Sequence, residues 1–114
     1  MPNIVQDQDV TVVELGAEYR GLDDPSGLIA KLLEAASAAE PAKMVLDLTA
    51  TKYFDSQFVE VMIRTWKRLG ERNGEMVLCG LSPFCADVIR ILKLDTIWPT
   101  YETRAEAVAA LAAE

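Results

Sequence analysis

Asp55 and Ser56 place a carboxylate beside a hydroxyl at the point where an amphipathic helix is predicted to begin. The first N–H groups of a helix lack partners within the helix, and the helix dipole adds partial positive charge there. A phosphate on Ser56 would find hydrogen-bond donors at this position, although the Asp55 carboxylate would oppose it. The same two residues also fit an ordinary helix N-cap, worth about 1 kcal/mol. Both interpretations stay open at this point.

The chain contains no histidine, which removes Ser-His-Asp and Cys-His catalysis and His-based metal ligation together. An enzyme that uses Asp47, Asp55 or Ser56 is an alternative, but the acidic cluster and lysine of a phosphoryl-accepting aspartate are not evident. Cys79 and Cys85 form no CxxC motif and cannot complete a zinc site without other ligands. We therefore expect no catalysis, no cofactor, no metal and two buried free thiols.

The bulk composition is that of a globular protein, with 114 residues, 51% hydrophobic and 25% charged. We expect one domain over residues 1–114. The net charge of −7 disfavours nucleic-acid binding. No apolar run approaches a membrane span, and the N-terminus lacks the pattern of a secretion signal. The predicted protein is cytoplasmic, without membrane insertion.

Apolar periodicity divides the chain into alternating strands and helices. Strands are predicted at 4–5 and 10–15, as a hairpin, and at 44–48, 76–80 and about 97–99. Helices are predicted at about 25–39 and from the N-cap signals at Asp55-Ser56, Ser82-Pro83 and the capping box Thr103–Glu106. This order predicts an α/β fold: a single-layer mixed β-sheet of four to five strands covered by about four α-helices.

The stretch from Val10 to Leu111 resembles the STAS domain family of anti-sigma factor antagonists. The resemblance rests on MVLDLTATKYFDS with Asp47 and Asp55, the amphipathic helix that follows, and the segments LSP and LKLDTIWP. It implies a STAS-like fold and a regulated, non-catalytic protein-binding module that acts in signal transduction and regulation of transcription. The implied partner is an anti-sigma factor or a serine kinase of that type.

The family signature is Asp-Ser, a second hydroxyl residue and then glycine, with one hydroxyl phosphorylated by the partner kinase. This chain keeps Asp55 and Ser56, whereas Gln57, Phe58 and Glu60 depart from the pattern. The resemblance thus implies Ser56 as the candidate phosphoacceptor of a phosphoprotein and Asp55, Ser56, Gln57, Phe58 and Glu60 as the partner-binding set. Phe58 fits either a core position or an exposed interface anchor.

The departures from the signature also resemble scaffold-type members, so a scaffold subunit of a signalling complex is an alternative. An accessory STAS subunit of a transporter, or a small-ligand module, is another. Neither GxxxxGK[ST] nor GxGxxG occurs in the chain, which counts against a dedicated phosphate cradle. Arg64, Lys67 and Arg68 fit a docking face for an acidic partner or plain solvated helix surface. The sequence leaves the oligomeric state open.

Overall fold

Five strands form a central mixed sheet in the computed structural model, which describes residues 3–16, 18–19 and 28–112. The strands are β1 (Asn3–Asp7), β2 (Val10–Glu14), β3 (Glu18–Tyr19), β4 (Lys43–Asp47), β5 (Tyr53–Phe54), β6 (Glu75–Cys79) and β7 (Thr100–Tyr101). The helices are α1 (Leu28–Ala38), α2 (Ser56–Gly70), α3 (Pro83–Ile91) and α4 (Arg104–Ala112), with a 3₁₀ turn at Leu94–Thr96.

The sheet has the order β1-β2-β4-β6-β7, and β3 pairs with β5 in a separate two-stranded ladder. β1 and β2 are antiparallel, as predicted for the hairpin, and β2, β4, β6 and β7 run parallel. The predicted α/β class with a mixed sheet and four helices is therefore confirmed. Because the carboxyl ends of parallel strands meet at one edge, the loops after β2, β4 and β6 lie together.

Helices cover both faces of the sheet, which explains why its strands are apolar in continuous runs. On one face, strand residues such as Val13, Leu46 and Leu78 pack with α1, α2 and α3. On the other face, Val12 and Val45 belong to a smaller cluster in which the helical contribution comes from α4. The described residues thus form a large core and a small core on opposite sides of the sheet.

Several boundaries differ from the prediction. The strand expected at 97–99 lies instead at Thr100–Tyr101, because the preceding 3₁₀ turn leads Trp98 into the core. The loop predicted between β4 and α2 contains the short strand β5. Helix α2 ends at Gly70, before the predicted Asn73-Gly74 stop, although Asn73 is left-handed with φ 58°. The predicted helix start at residue 25 lies outside the described residues.

Candidate functional site

Asp55 is the N-cap of α2, as predicted. Its backbone is extended, with φ −103° and ψ 178°, and its Oδ1 accepts a hydrogen bond from the Phe58 N–H at 3.0 Å. The Asp55 carbonyl also accepts from the Val59 N–H at 3.2 Å. Asp55 therefore fixes the first turn of α2, and Ser56 is the first residue of that turn.

The structure places the five predicted partner-binding residues in different environments. Ser56, Gln57 and Glu60 are exposed, and Asp55 is half-buried. Phe58 is only 2% exposed and packs against Phe54, with ring centroids 5.8 Å apart. Phe58 is thus a core residue, and it does not offer an exposed side chain to a partner. The surface part of the candidate set consists of Ser56, Gln57, Glu60 and part of Asp55.

The loop that leads to Ser56 is held by contacts to three neighbouring segments. The Thr51 hydroxyl donates to the Gly16 carbonyl at 2.7 Å, and the Cys85 thiol lies 3.9 Å from the Thr51 carbonyl. Tyr53 stacks on Phe84 of α3, with ring centroids 5.3 Å apart and an interplanar angle of 19°. The β3–β5 ladder adds main-chain pairing. The loop is therefore anchored on both sides of its path.

A cluster of charged residues lies where β2 and β4 end. Asp47 is 8% exposed, and its Oδ1 accepts from both the N–H and the hydroxyl of Thr49, at 2.9 and 2.6 Å. Arg104, at the start of α4, donates to Asp47 Oδ2 at 3.3 Å and also to the Glu14 carboxylate. The cluster ties α4 to the ends of β2 and β4, and Asp47 fixes the start of the loop that leads to Ser56.

Sequence reasoning did not find the Arg104 contact. The signal available for Asp47 was an acidic residue within an apolar strand. Arg104 occupies an ordinary first-turn position after a capping threonine and carries no comparable signal.

Gly80 follows β6 and approaches the same loop closely. Its φ is +71°, and a Cβ at this position would lie 2.3 Å from Thr49 Oγ1 and 2.9 Å from the Thr49 backbone. A side chain here would therefore be strained by the backbone conformation and would also displace Thr49.

The two thiols are free and buried, as predicted. Burial, and then the neighbouring Asp47 carboxylate, raise the pKa of Cys79 to about 12. Burial also raises the pKa of Cys85, while a hydrogen bond with Ser82 acts in the opposite direction. Both groups are thiols at neutral pH and are poor nucleophiles in that form.

Two further features were searched within the described part of the chain. It contains no cluster of three or more acidic or cysteine side chains able to hold a metal ion. Its helices also include none that is long and apolar enough to cross a membrane.

Comparisons with known proteins agree with this geometry. The sequence model of the STAS domain matches residues 1–107. A putative anti-sigma factor antagonist, BtrV of Bordetella bronchiseptica, is 36% identical over 85 residues, which cover 71% of this chain and 73% of that protein. An anti-sigma-factor antagonist (STAS) domain protein from Planctomyces limnophilus superimposes with a TM-score of 0.89 at 32% identity, with 97% of both chains covered.

The Bacillus cell fate determinant SpoIIAA, solved in its phosphorylated form, has a TM-score of 0.71 at 18% identity. The match covers 96% of this chain and 98% of that one. At this identity the comparison supports the fold alone.

Proposed function

Because this chain belongs to the STAS domain family, we propose that it is a non-catalytic, cytoplasmic anti-sigma factor antagonist that is switched by phosphorylation of Ser56. The observation that carries the proposal is the position of Ser56, exposed as the first residue of α2 beside its cap Asp55. The partner is an anti-sigma factor with serine kinase activity, which supplies ATP and the catalytic groups. The output is regulation of transcription.

Exposure distinguishes Ser56 from the neighbouring threonines. Thr51 and Thr65 are buried, and their hydroxyls donate to the carbonyls of Gly16 and Val61. Thr49 is exposed, but its hydroxyl donates to Asp47 at 2.6 Å. Transfer of a phosphate to any of these three would break a hydrogen bond, so the geometry favours Ser56.

The physical effect of the modification is electrostatic. A phosphate adds about −1.5 to −2 charges at neutral pH. It would stand next to Asp55 and one helical turn from Glu60, on the exposed side of α2. A partner that covers unmodified Ser56 would have to bury this charge unpaired, which costs several kcal/mol. We expect a loss of affinity of about 100-fold or more.

The switch requires no change of fold. Ser56 is exposed, whereas Phe58 and Val59 anchor the same turn in the core. Gln57 and Glu60 complete the surface around the hydroxyl. Arg64, Lys67 and Arg68 extend the exposed side of α2 and offer positive charge to an acidic region of the partner.

The direct test is phosphosite mapping of the peptide YFDSQFVEVMIR from cells that express the native protein. Phosphate on Ser56 supports the proposal. A kinase encoded beside this protein then provides the partner for labelling and affinity measurements. We expect Ser56→Ala to lose labelling and keep binding, and Ser56→Asp to bind more weakly.

Phosphate on Tyr53, Thr49, Thr51 or Thr65 instead would show that the site is wrong. Full occupancy by unmodified serine, together with a stable large assembly, would favour the scaffold alternative. Co-purification with transporter subunits would favour the accessory role. Ser56→Thr is the matched control, because it keeps a hydroxyl at the same position.

A further inference from the structure

Helix α3 has apolar side chains on two sides. Cys85 and Ile89 point into the large core. A second row, spaced for one helical face, is open to solvent; we call it the α3 stripe, and it consists of Phe84, Val88, Ile91 and Leu92. Phe84, Ile91 and Leu92 are 47%, 71% and 46% exposed. The helix therefore carries more apolar surface than its packing in the monomer uses.

Exposed apolar side chains are concentrated in this region. Among the described residues, the exposed large hydrophobic side chains are Ile4 and Val5 on β1, the three of the α3 stripe, and Ile97 just after it. Scattered single exposures need no explanation, but a contiguous group is typical of an interaction surface.

The charges beside the stripe are self-complementary. Asp87 and Arg90 form an exposed ion pair at 2.9 Å. A two-fold axis near Val88 would align two antiparallel α3 helices and place Phe84 of one copy near Leu92 of the other. The same axis brings Asp87 of each copy near Arg90 of the other, because these residues flank Val88 on either side. An isologous contact requires this kind of reciprocity.

From this symmetry we propose that the α3 stripe is the contact of a homodimer, with antiparallel α3 helices and reciprocal Asp87–Arg90 ion pairs. The inference is independent of phosphorylation at Ser56. A membrane surface is a poor occupant, since the chain carries a net charge of −7 and anionic lipid would repel it. Contact with a different protein is an outcome of the test below.

The dimer should be weak. Each copy contributes one nine-residue helix and its surroundings, which is small beside the interfaces of permanent dimers. Sedimentation velocity of the full chain, from about 10 μM to about 1 mM, covers the range in which such an association appears. We expect the weight-average sedimentation coefficient to rise with concentration toward the dimer value.

Ile91→Glu tests the apolar part of the contact. Its side chain is exposed, so the monomer should keep its fold, as judged by circular dichroism. We expect dissociation to become at least about tenfold easier. Ile4→Glu, which changes an exposed isoleucine on β1, is the matched control and should dimerise like the native chain.

A charge exchange tests the symmetry. Asp87→Arg alone brings arginines together across the axis, and Arg90→Asp alone brings aspartates together, so each variant should be monomeric. An equimolar mixture of the two should dimerise, because each pair across the axis is then of opposite charge. An effect within one chain cannot produce this rescue.

Three results would overturn the proposal. The first is a native chain that stays monomeric over the whole concentration range, which would leave the stripe to a different protein. The second is a dimer that Ile91→Glu does not weaken. The third is a mixture that associates no more than its two components do.

Discussion

At the scale of single residues, Arg104 connects parts of the chain that are far apart in sequence. It joins Glu14 and the nearly buried Asp47, and Asp47 in turn holds Thr49. Removal of the guanidinium leaves a carboxylate in a site with little access to water. An unpaired charge of this kind costs far more than the loss of an exposed ion pair.

We expect Arg104→Ala to lower the free energy of unfolding by about 2 kcal/mol. Arg90→Ala is the control, since it removes an exposed ion pair and should cost about 0.5 kcal/mol or less. Urea denaturation of dilute protein measures both. Equal losses in the two variants would mean that the cluster adds nothing beyond a surface ion pair.

Cys79 makes stability depend on alkaline pH. Its pKa is about 12 in the folded chain, against an ordinary value of 9.0. Below that ordinary value both states are protonated and the thiol has no effect on stability. Between the two values the folded state binds more protons, so the free energy of unfolding falls as pH rises. The slope approaches about 1.4 kcal/mol per pH unit.

Urea denaturation under reducing conditions, from about pH 8 to about pH 10.5, would measure this slope in the native chain and in Cys79→Ala. The variant removes the titrating thiol and should show a shallower decline. Parallel curves would contradict the assignment of the slope to Cys79. Other alkaline groups are common to both proteins and cancel in the difference.

At the scale of elements, the start of α2 combines a stabilising cap with an exposed hydroxyl. Asp55→Ala should lower the free energy of unfolding by about 1 kcal/mol, because the Phe58 N–H loses its acceptor. Ser56→Ala changes an exposed side chain and should stay within about 0.5 kcal/mol of the native chain. Thermal unfolding separates the two, and a comparable loss in Ser56→Ala would show that the serine has a structural role.

The elements show what sequence can predict and why. Caps at Asp55, Ser82 and Thr103 were predictable, since their side chains bond to nearby backbone N–H groups three residues on. Strand β7 was placed too early, because Trp98 is buried by tertiary packing and local propensity carries no information on that. The two-residue ladder β3–β5 depends on contacts between distant segments, so local patterns could not reveal it.

The candidate site divides in the same way. The Asp55-Ser56 junction was visible in the sequence because a cap and an amphipathic period coincide there. The burial of Phe58 was one of two open interpretations, since a bulky residue early in a helix fits a core or a surface anchor. Its partner Phe54 decides the matter only after the loop has folded.

At the scale of the whole molecule, the two faces of the sheet are covered unequally. Three helices contribute to the large core, whereas α4 supplies the helical side chains of the small one. Lys43 also binds α4 through the Leu111 carbonyl, at 2.9 Å. The stability of this face therefore depends strongly on one short helix.

Leu111→Ala should lower the free energy of unfolding by about 2–4 kcal/mol, because it opens a cavity between α4 and the sheet. Leu92→Ala makes the same chemical change on the α3 stripe and should cost about 0.5 kcal/mol or less in dilute protein. Chemical denaturation compares them. A small effect at Leu111 would show that the face collapses around the smaller side chain.

The anchoring of the first turn of α2 has a consequence for any kinase that modifies Ser56. Many peptide substrates are drawn into an extended form along the enzyme, but here that would break the Asp55 cap and pull Phe58 from the core. The loss of Phe58 alone would cost about 3–5 kcal/mol. The enzyme must then read a shape instead of a string of letters, and an isolated peptide of the same sequence should be a poor substrate. Folding itself becomes a condition for signalling, so misfolded copies are silent.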